Sequence, residues 1–182
     1  MQALLRIADR IDRMSRFTGR WLSWLTLAMV LIGSYNAVVR YLARYTGTSL
    51  SSNLYIELQW YLFAALFLLG AAYTLQADAH VRVDVLYGRL SRKGKAWINL
   101  LGTVLFLIPF CVLMLWVSWP AVANSWAVME ISPDPGGLPR YPIKTVIPVA
   151  FVLLMIQACS MLIRSLAVVL GHDADPVDGA PA

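Results

Sequence analysis

The chain has 182 residues, is 59% hydrophobic and only 14% charged, and carries a formal net charge of +5. A soluble domain of this size would hold about a quarter charged residues, so the composition excludes an ordinary water-soluble fold. The basic excess does not mark nucleic-acid binding, because it is unevenly spread among segments that alternate with apolar runs.

Residues 2–20 read as an amphipathic helix. Leu4, Ile7, Ala8, Ile11 and Met14 share one face, and Arg6, Asp9, Arg10, Arg13, Arg16 and Arg20 fall mostly on the other. Such a helix can lie in the headgroup plane; the alternative is an extension of the element that follows. That element is the run Trp21–Val39, with no charged residue. Its 19 residues would span about 28 Å as a helix, against a hydrocarbon core of about 30 Å. A cleaved signal peptide would have a shorter apolar part and a small-residue cleavage site, so the run reads as a retained first span.

Three more uncharged runs follow, Leu58–Ala77, Ala96–Trp119 and Thr145–Ile163. Backbone groups in lipid must pair within their own segment, so all four runs read as membrane helices. The expected fold is an all-α membrane protein with an interfacial helix at 1–20. Its transmembrane domain occupies 21–170, with spans at about 21–41, 56–77, 96–120 and 144–164. A disordered tail is expected at 171–182. Asp84 is placed to cap a short amphipathic helix in the loop Asp78–Lys95, running to about Leu90. Pro109 should remove one backbone hydrogen bond and bend the third span. Apolar residues continue past Pro120 to Met129, so this helix should project beyond the membrane surface. Ser132–Pro139 is a turn-rich loop.

Arg6, Arg10, Arg13, Arg16 and Arg20 precede the first span, and Arg82, Arg89, Arg92, Lys93 and Lys95 lie in the second loop. The other outer segments hold Arg40 and Arg44, and Arg140 and Lys144. The positive-inside rule therefore places both termini in the cytoplasm, with the basic segments against anionic lipid.

Redox chemistry has little to stand on. The histidines, His80 and His172, lie outside the spans, where a haem ligand would not be. Cys111 and Cys159 are single, without the close pairing of a thiol oxidoreductase, and read as small packing residues. An autonomous exporter would need an ionisable residue deep in a span. Glu57, the nearest, stands at a span end level with Arg40 and Arg44, and a structural ion pair with them is expected. Asn36, Gln59, Asn99, Gln157 and Ser160 can bond across helix interfaces, and Gly70, Ala71, Ala72 and Gly102 can let helices approach closely. His80, Arg82 and Asp84 form a polar cluster on the second loop, too sparse to bind a metal.

Taken in order, Asn36, Arg40-Tyr41, Glu57 within Ile56–Tyr61, Gly70-Ala71-Ala72 and His80-Val81-Arg82-Val83-Asp84 resemble the small membrane subunit (DctQ-like) of tripartite ATP-independent periplasmic (TRAP) transporters. The resemblance covers most of the chain, from the first span through the fourth. Leu138–Lys144 is similar to the approach to the last span in one branch. The sequence departs from the family at Ile56, where members often carry a second acid. The resemblance implies a non-catalytic, cofactor-free scaffold in a bacterial inner membrane. It would brace a large elevator-type subunit during sodium-driven uptake of an organic acid and help dock a periplasmic solute-binding protein. Arg140 and Lys144, beside the proline-rich turn, are the candidate docking residues. The competing readings remain a small four-helix exporter working through Glu57 and a membrane redox protein.

Overall fold

The structure, a computed structural model, describes residues 1–47, 52–79, 87 and 90–172. Within these residues the chain forms helices α1 (Gln2–Thr46), α2 (Asn53–Gln76), α3 (Arg92–Gly102), α4 (Ile108–Ala127) and α5 (Arg140–Val169). A π-helical segment, Thr103–Leu107, joins α3 to α4. Four helical stretches are long and apolar enough to cross a membrane.

Local chemistry explains the ends. Ser52 caps α2 by accepting from the Leu54 amide at 3.2 Å, and Ser91 caps α3 by accepting from the Gly94 amide at 3.2 Å. Gly47 closes α1 at φ 67°, a conformation glycine adopts without a Cβ penalty. The π segment stands immediately before Pro109. The proline lacks an amide hydrogen and would crowd the carbonyl four residues back. The widened turn carries the Ile108 amide back to the Thr103 carbonyl, accommodating that irregularity without ending the helix.

No boundary separates the expected interfacial helix from the first span. α1 runs unbroken for 45 residues, about 68 Å at 1.5 Å per residue. Its buried stripe near the start is Ala8, Asp12, Ser15, Gly19 and Leu22. The intervals of four and three residues form a coiled-coil seam. The residues 2–20 are therefore the first turns of a packed helix, which corrects the expectation of a separate interfacial element. Leu4, Ile7 and Met14 of the expected apolar face are exposed, while Ala8 is fully buried.

α5 is the hub, packed by α1, α2, α3 and α4. Leu75 of α2, Cys111 of α4 and Leu154 and Met161 of α5 form the central cluster. A second cluster joins Ala96 of α3 to Ala167 and Val168 of α5, with Met1 and Leu5 against it. The start of α1, the start of α3 and the end of α5 thus share one end of the molecule, the basic end. The turn between α4 and α5 marks the other.

α1 and α2 are antiparallel, and their close approach falls at unexpected glycines. A Cβ on Gly19 would lie 2.4 Å from the Tyr73 ring, and one on Gly33 2.4 Å from Gln59 Nε2. Gly70 leaves ordinary contact space beside Leu22, and Gly102 faces open space. Gly70 thus sits against α1 at ordinary spacing, the tightest approaches are at Gly19 and Gly33 of α1, and the expected closeness at Gly102 is corrected.

Candidate functional site

Two polar assemblies tie the helices together, one toward each end. The first joins α1 to α5. Asp12 Oδ1 accepts from Gln157 Nε2 at 2.8 Å and from Ser160 Oγ at 2.6 Å. Its Oδ2 pairs with Arg164, whose Nη2 is 2.6 Å away and also reaches Asp9 Oδ1 at 2.7 Å. Ser15 Oγ donates to Gln157 Oε1 at 2.7 Å. Asp12, Ser15, Gln157 and Ser160 are all buried. A carboxylate this enclosed is stable only when its lone pairs are used, and here both oxygens are engaged. The assembly is a structural tie. Gln157 and Ser160 bond across a helix interface as their sequence position suggests. Asp12 and Arg164 lie outside the uncharged runs, and it is the antiparallel docking of α1 on α5 that brings them to this depth.

The second assembly fixes the turn between α4 and α5. Ile131 and Pro139 bridge in antiparallel fashion, with the Ser132 amide donating to the Leu138 carbonyl at 3.1 Å. Gly136 takes φ 71° at the tip. Glu57, near the start of α2, is 2% exposed and inserts into this hairpin. It accepts from Ser132 Oγ and from the Leu138 amide. One helical turn on, Tyr61 donates its hydroxyl to the Pro139 carbonyl at 3.1 Å. The expected Glu57 pair with Arg40 and Arg44 is absent. The carboxylate points into the hairpin because two donors there, one of them an obligatory backbone amide, hold it in a buried position.

Arg140 donates from Nη2 to Ser132 Oγ at 3.4 Å and stands 6.0 Å from the Trp60 ring centroid. Lys144 pairs with Glu130, which also accepts from Ser125 Oγ at 2.7 Å. The Lys144 ammonium and the Ser125 hydroxyl hold the Glu130 carboxyl below its ordinary range. Trp126 Nε1 donates to Thr145 Oγ1 at 2.8 Å, with its ring 4.5 Å from that of Tyr141. Arg140 and Lys144, expected to face outward, are half-buried in the hairpin's own framework.

Other sequence candidates are dispersed. Asn36 is buried on α1, while Arg40 and Tyr41 are exposed. Gly70 is mid-α2. His80, Arg82 and Asp84 lie outside the described residues, as does most of the expected loop helix. Cys111 is in the core, but Cys159, expected to pack, is exposed on α5 because that helix presents one flank outward. Among the described residues no His, Cys, Asp and Glu group is arranged to hold a metal ion.

A family model described as "Tripartite ATP-independent periplasmic transporters, DctQ component" matches residues 29–168. The chain belongs to this family and is a TRAP transporter small permease component. Searches of curated proteins and of solved structures returned no match.

Proposed function

We propose that this subunit is a stationary brace. It packs beside the large membrane subunit of a TRAP system, which carries solute by an elevator motion, and presents the α4–α5 hairpin toward the periplasmic binding protein. The termini are cytoplasmic and the hairpin periplasmic, in a bacterial inner membrane. The transport served is sodium-driven uptake of an organic acid.

The observation that carries this reading is how its charges are used, on top of family membership. The buried acids Asp12 and Glu57 are each consumed in holding one element to another. A coupling carboxylate must instead exchange its partner during a cycle. Ties at both ends suit a body that stays still while its partner moves. Arg140 and Lys144 serve docking by holding the hairpin's shape, while the exposed Ile131, Pro133 and Asp134 make the contact. His80, Arg82 and Asp84 are proposed to hold the second loop against the membrane.

The test is co-expression with the neighbouring large membrane protein, purification through a tag on this chain, and mass determination in a nanodisc. A one-to-one complex is expected. A homo-oligomer that ignores the large protein would overturn the brace. Reversing Arg140 and Lys144 to glutamate should weaken binding-protein docking while leaving that complex intact; unchanged docking removes the hairpin from the interface.

A further inference from the structure

At the hairpin end, Gly33, Asn36, Ala37, Arg40, Tyr41 and Arg44 on α1 line an open groove of about 500 Å³. Arg40 and Arg44 are one helical turn apart and both exposed. Among the described residues they enter none of the ion pairs, which are made by Lys144 and Arg164. No acidic residue occurs in the sequence between Asp12 and Glu57. Asp12 is bound to α5, Glu57 is enclosed by the hairpin, and Glu130 is held by Lys144. The chain thus supplies these two guanidiniums with no anion from the surrounding stretch of α1.

Their depth identifies the missing partner. The apolar run ends at Val39, so Arg40 is the first residue beyond it and Arg44 lies about 6 Å further along the helix. Headgroups extend about 5–8 Å beyond the hydrocarbon on each side. Both arginines therefore stand in the phosphate layer. A guanidinium fork matches two phosphate oxygens, and two forks a turn apart can hold one phosphodiester from both sides. Tyr41 and Tyr45, whose hydroxyls are 3.0 Å apart, occupy the same layer, where amphipathic rings are favoured. We propose that Arg40 and Arg44 form a binding site for the headgroup of an anionic phospholipid at the hairpin end of the molecule. This site is separate from the diffuse attraction of the basic end for lipid, and it does not depend on the brace reading.

The test is native mass spectrometry of the full chain in detergent, titrated with phosphatidylglycerol or phosphatidylcholine. Wild type should take one phosphatidylglycerol in preference to phosphatidylcholine. The variant Arg40→Gln/Arg44→Gln should bind that lipid about thirtyfold more weakly, from about a fivefold effect per arginine at a membrane surface. Arg40→Lys/Arg44→Lys keeps the charge without the fork and should fall between. Arg10→Gln/Arg13→Gln, at the basic end, should leave this binding step unchanged. Melting followed by circular dichroism checks that each variant is folded, and the lysine pair serves if the glutamine pair is not. Phosphatidylglycerol binding by the glutamine pair equal to wild type would overturn the site. So would a glutamine pair that keeps its lipid but loses a co-purifying protein, since an acidic side chain of that protein would then be the occupant.

Discussion

Asp12 is the residue on which the α1–α5 contact depends. Its removal leaves Arg164 without its main counter-charge, Gln157 Nε2 without its acceptor, and Ser160 with only the longer bond to the Ala8 carbonyl at 3.3 Å. Breaking a buried pair from one side costs about 3–5 kcal/mol, so Asp12→Ala should lower the melting temperature in detergent sharply. Asp12→Asn keeps an acceptor for Ser160 and should cost less. Equal melting of both variants and wild type would mean that the seam is held by packing alone. Gly137 plays a comparable part in the hairpin. A Cβ there would lie 2.4 Å from Ser132 Cβ and 2.9 Å from Glu57 Oε1. Gly137→Ala should therefore displace Glu57 and cost about 1–3 kcal/mol through overpacking. The open Gly136 should lose only about 1–2 kcal/mol on change to alanine, from its φ of 71°. Limited proteolysis at the hairpin reports both, and cleavage of neither variant would contradict the geometry.

Glu130 adds a pH dependence of defined sign. Its folded-state carboxyl is held below the ordinary value of 4.5 by the Lys144 and Ser125 contacts. The stabilisation it gives the hairpin is full above that value and is lost as pH falls through the lower folded one. The hairpin should therefore keep its protease resistance at mildly acidic pH and loosen only in stronger acid. Lys144→Ala should move the loosening toward the ordinary value. The same acid profile in both proteins would show that this pair does not govern it.

Among the elements, the α1–α2 pair depends on two glycines that let a helix backbone approach large side chains. Inside lipid, apolar burial provides little drive for association, and close van der Waals packing and interhelical hydrogen bonds take over. Gly19→Leu or Gly33→Leu should push α2 away, whereas Gly102→Ala faces open space and should be neutral or favourable for its helix. A disulfide trap between cysteines placed at Tyr35 and Tyr55, whose rings are 5.2 Å apart, would read the separation. Unchanged trapping in both leucine variants would rule out a close α1–α2 contact. The π turn before Pro109 is also an element-scale device. It lets one continuous rod from Arg92 to Ala127 hold a proline near its middle.

As a whole the molecule is open. Each of the other described helices touches α5, yet many large apolar side chains remain exposed, among them all seven tryptophans. Hydrocarbon tails are as apolar as leucine, so such surface is stable in a bilayer without a protein cover. The packing around α5 should show in labelling of the detergent-solubilised protein. Cys159 is exposed on α5 and Cys111 is buried, so a small membrane-permeant maleimide should modify the former and spare the latter. Equal modification would contradict the central position of α5.

The sequence by itself determined the number and approximate place of the spans, because an uncharged run of about 20 residues has no other stable solution in lipid. It also carried the family's ordered motifs, and it marked Gln157 and Ser160 as residues that bond across helices. Only the tertiary structure decided what those polar groups meet. Asp12 and Arg164 are 152 positions apart, and periodicity within α1 placed the early turns on a lipid surface rather than on α5. Glu57 sits level with Arg40 and Arg44 by position along the chain, yet it turns to the hairpin at 132–138. Pairing between distant segments depends on helix rotation and docking, which local patterns leave open. Lipid adds to this ambiguity, because it accepts an apolar face as readily as a neighbouring helix does.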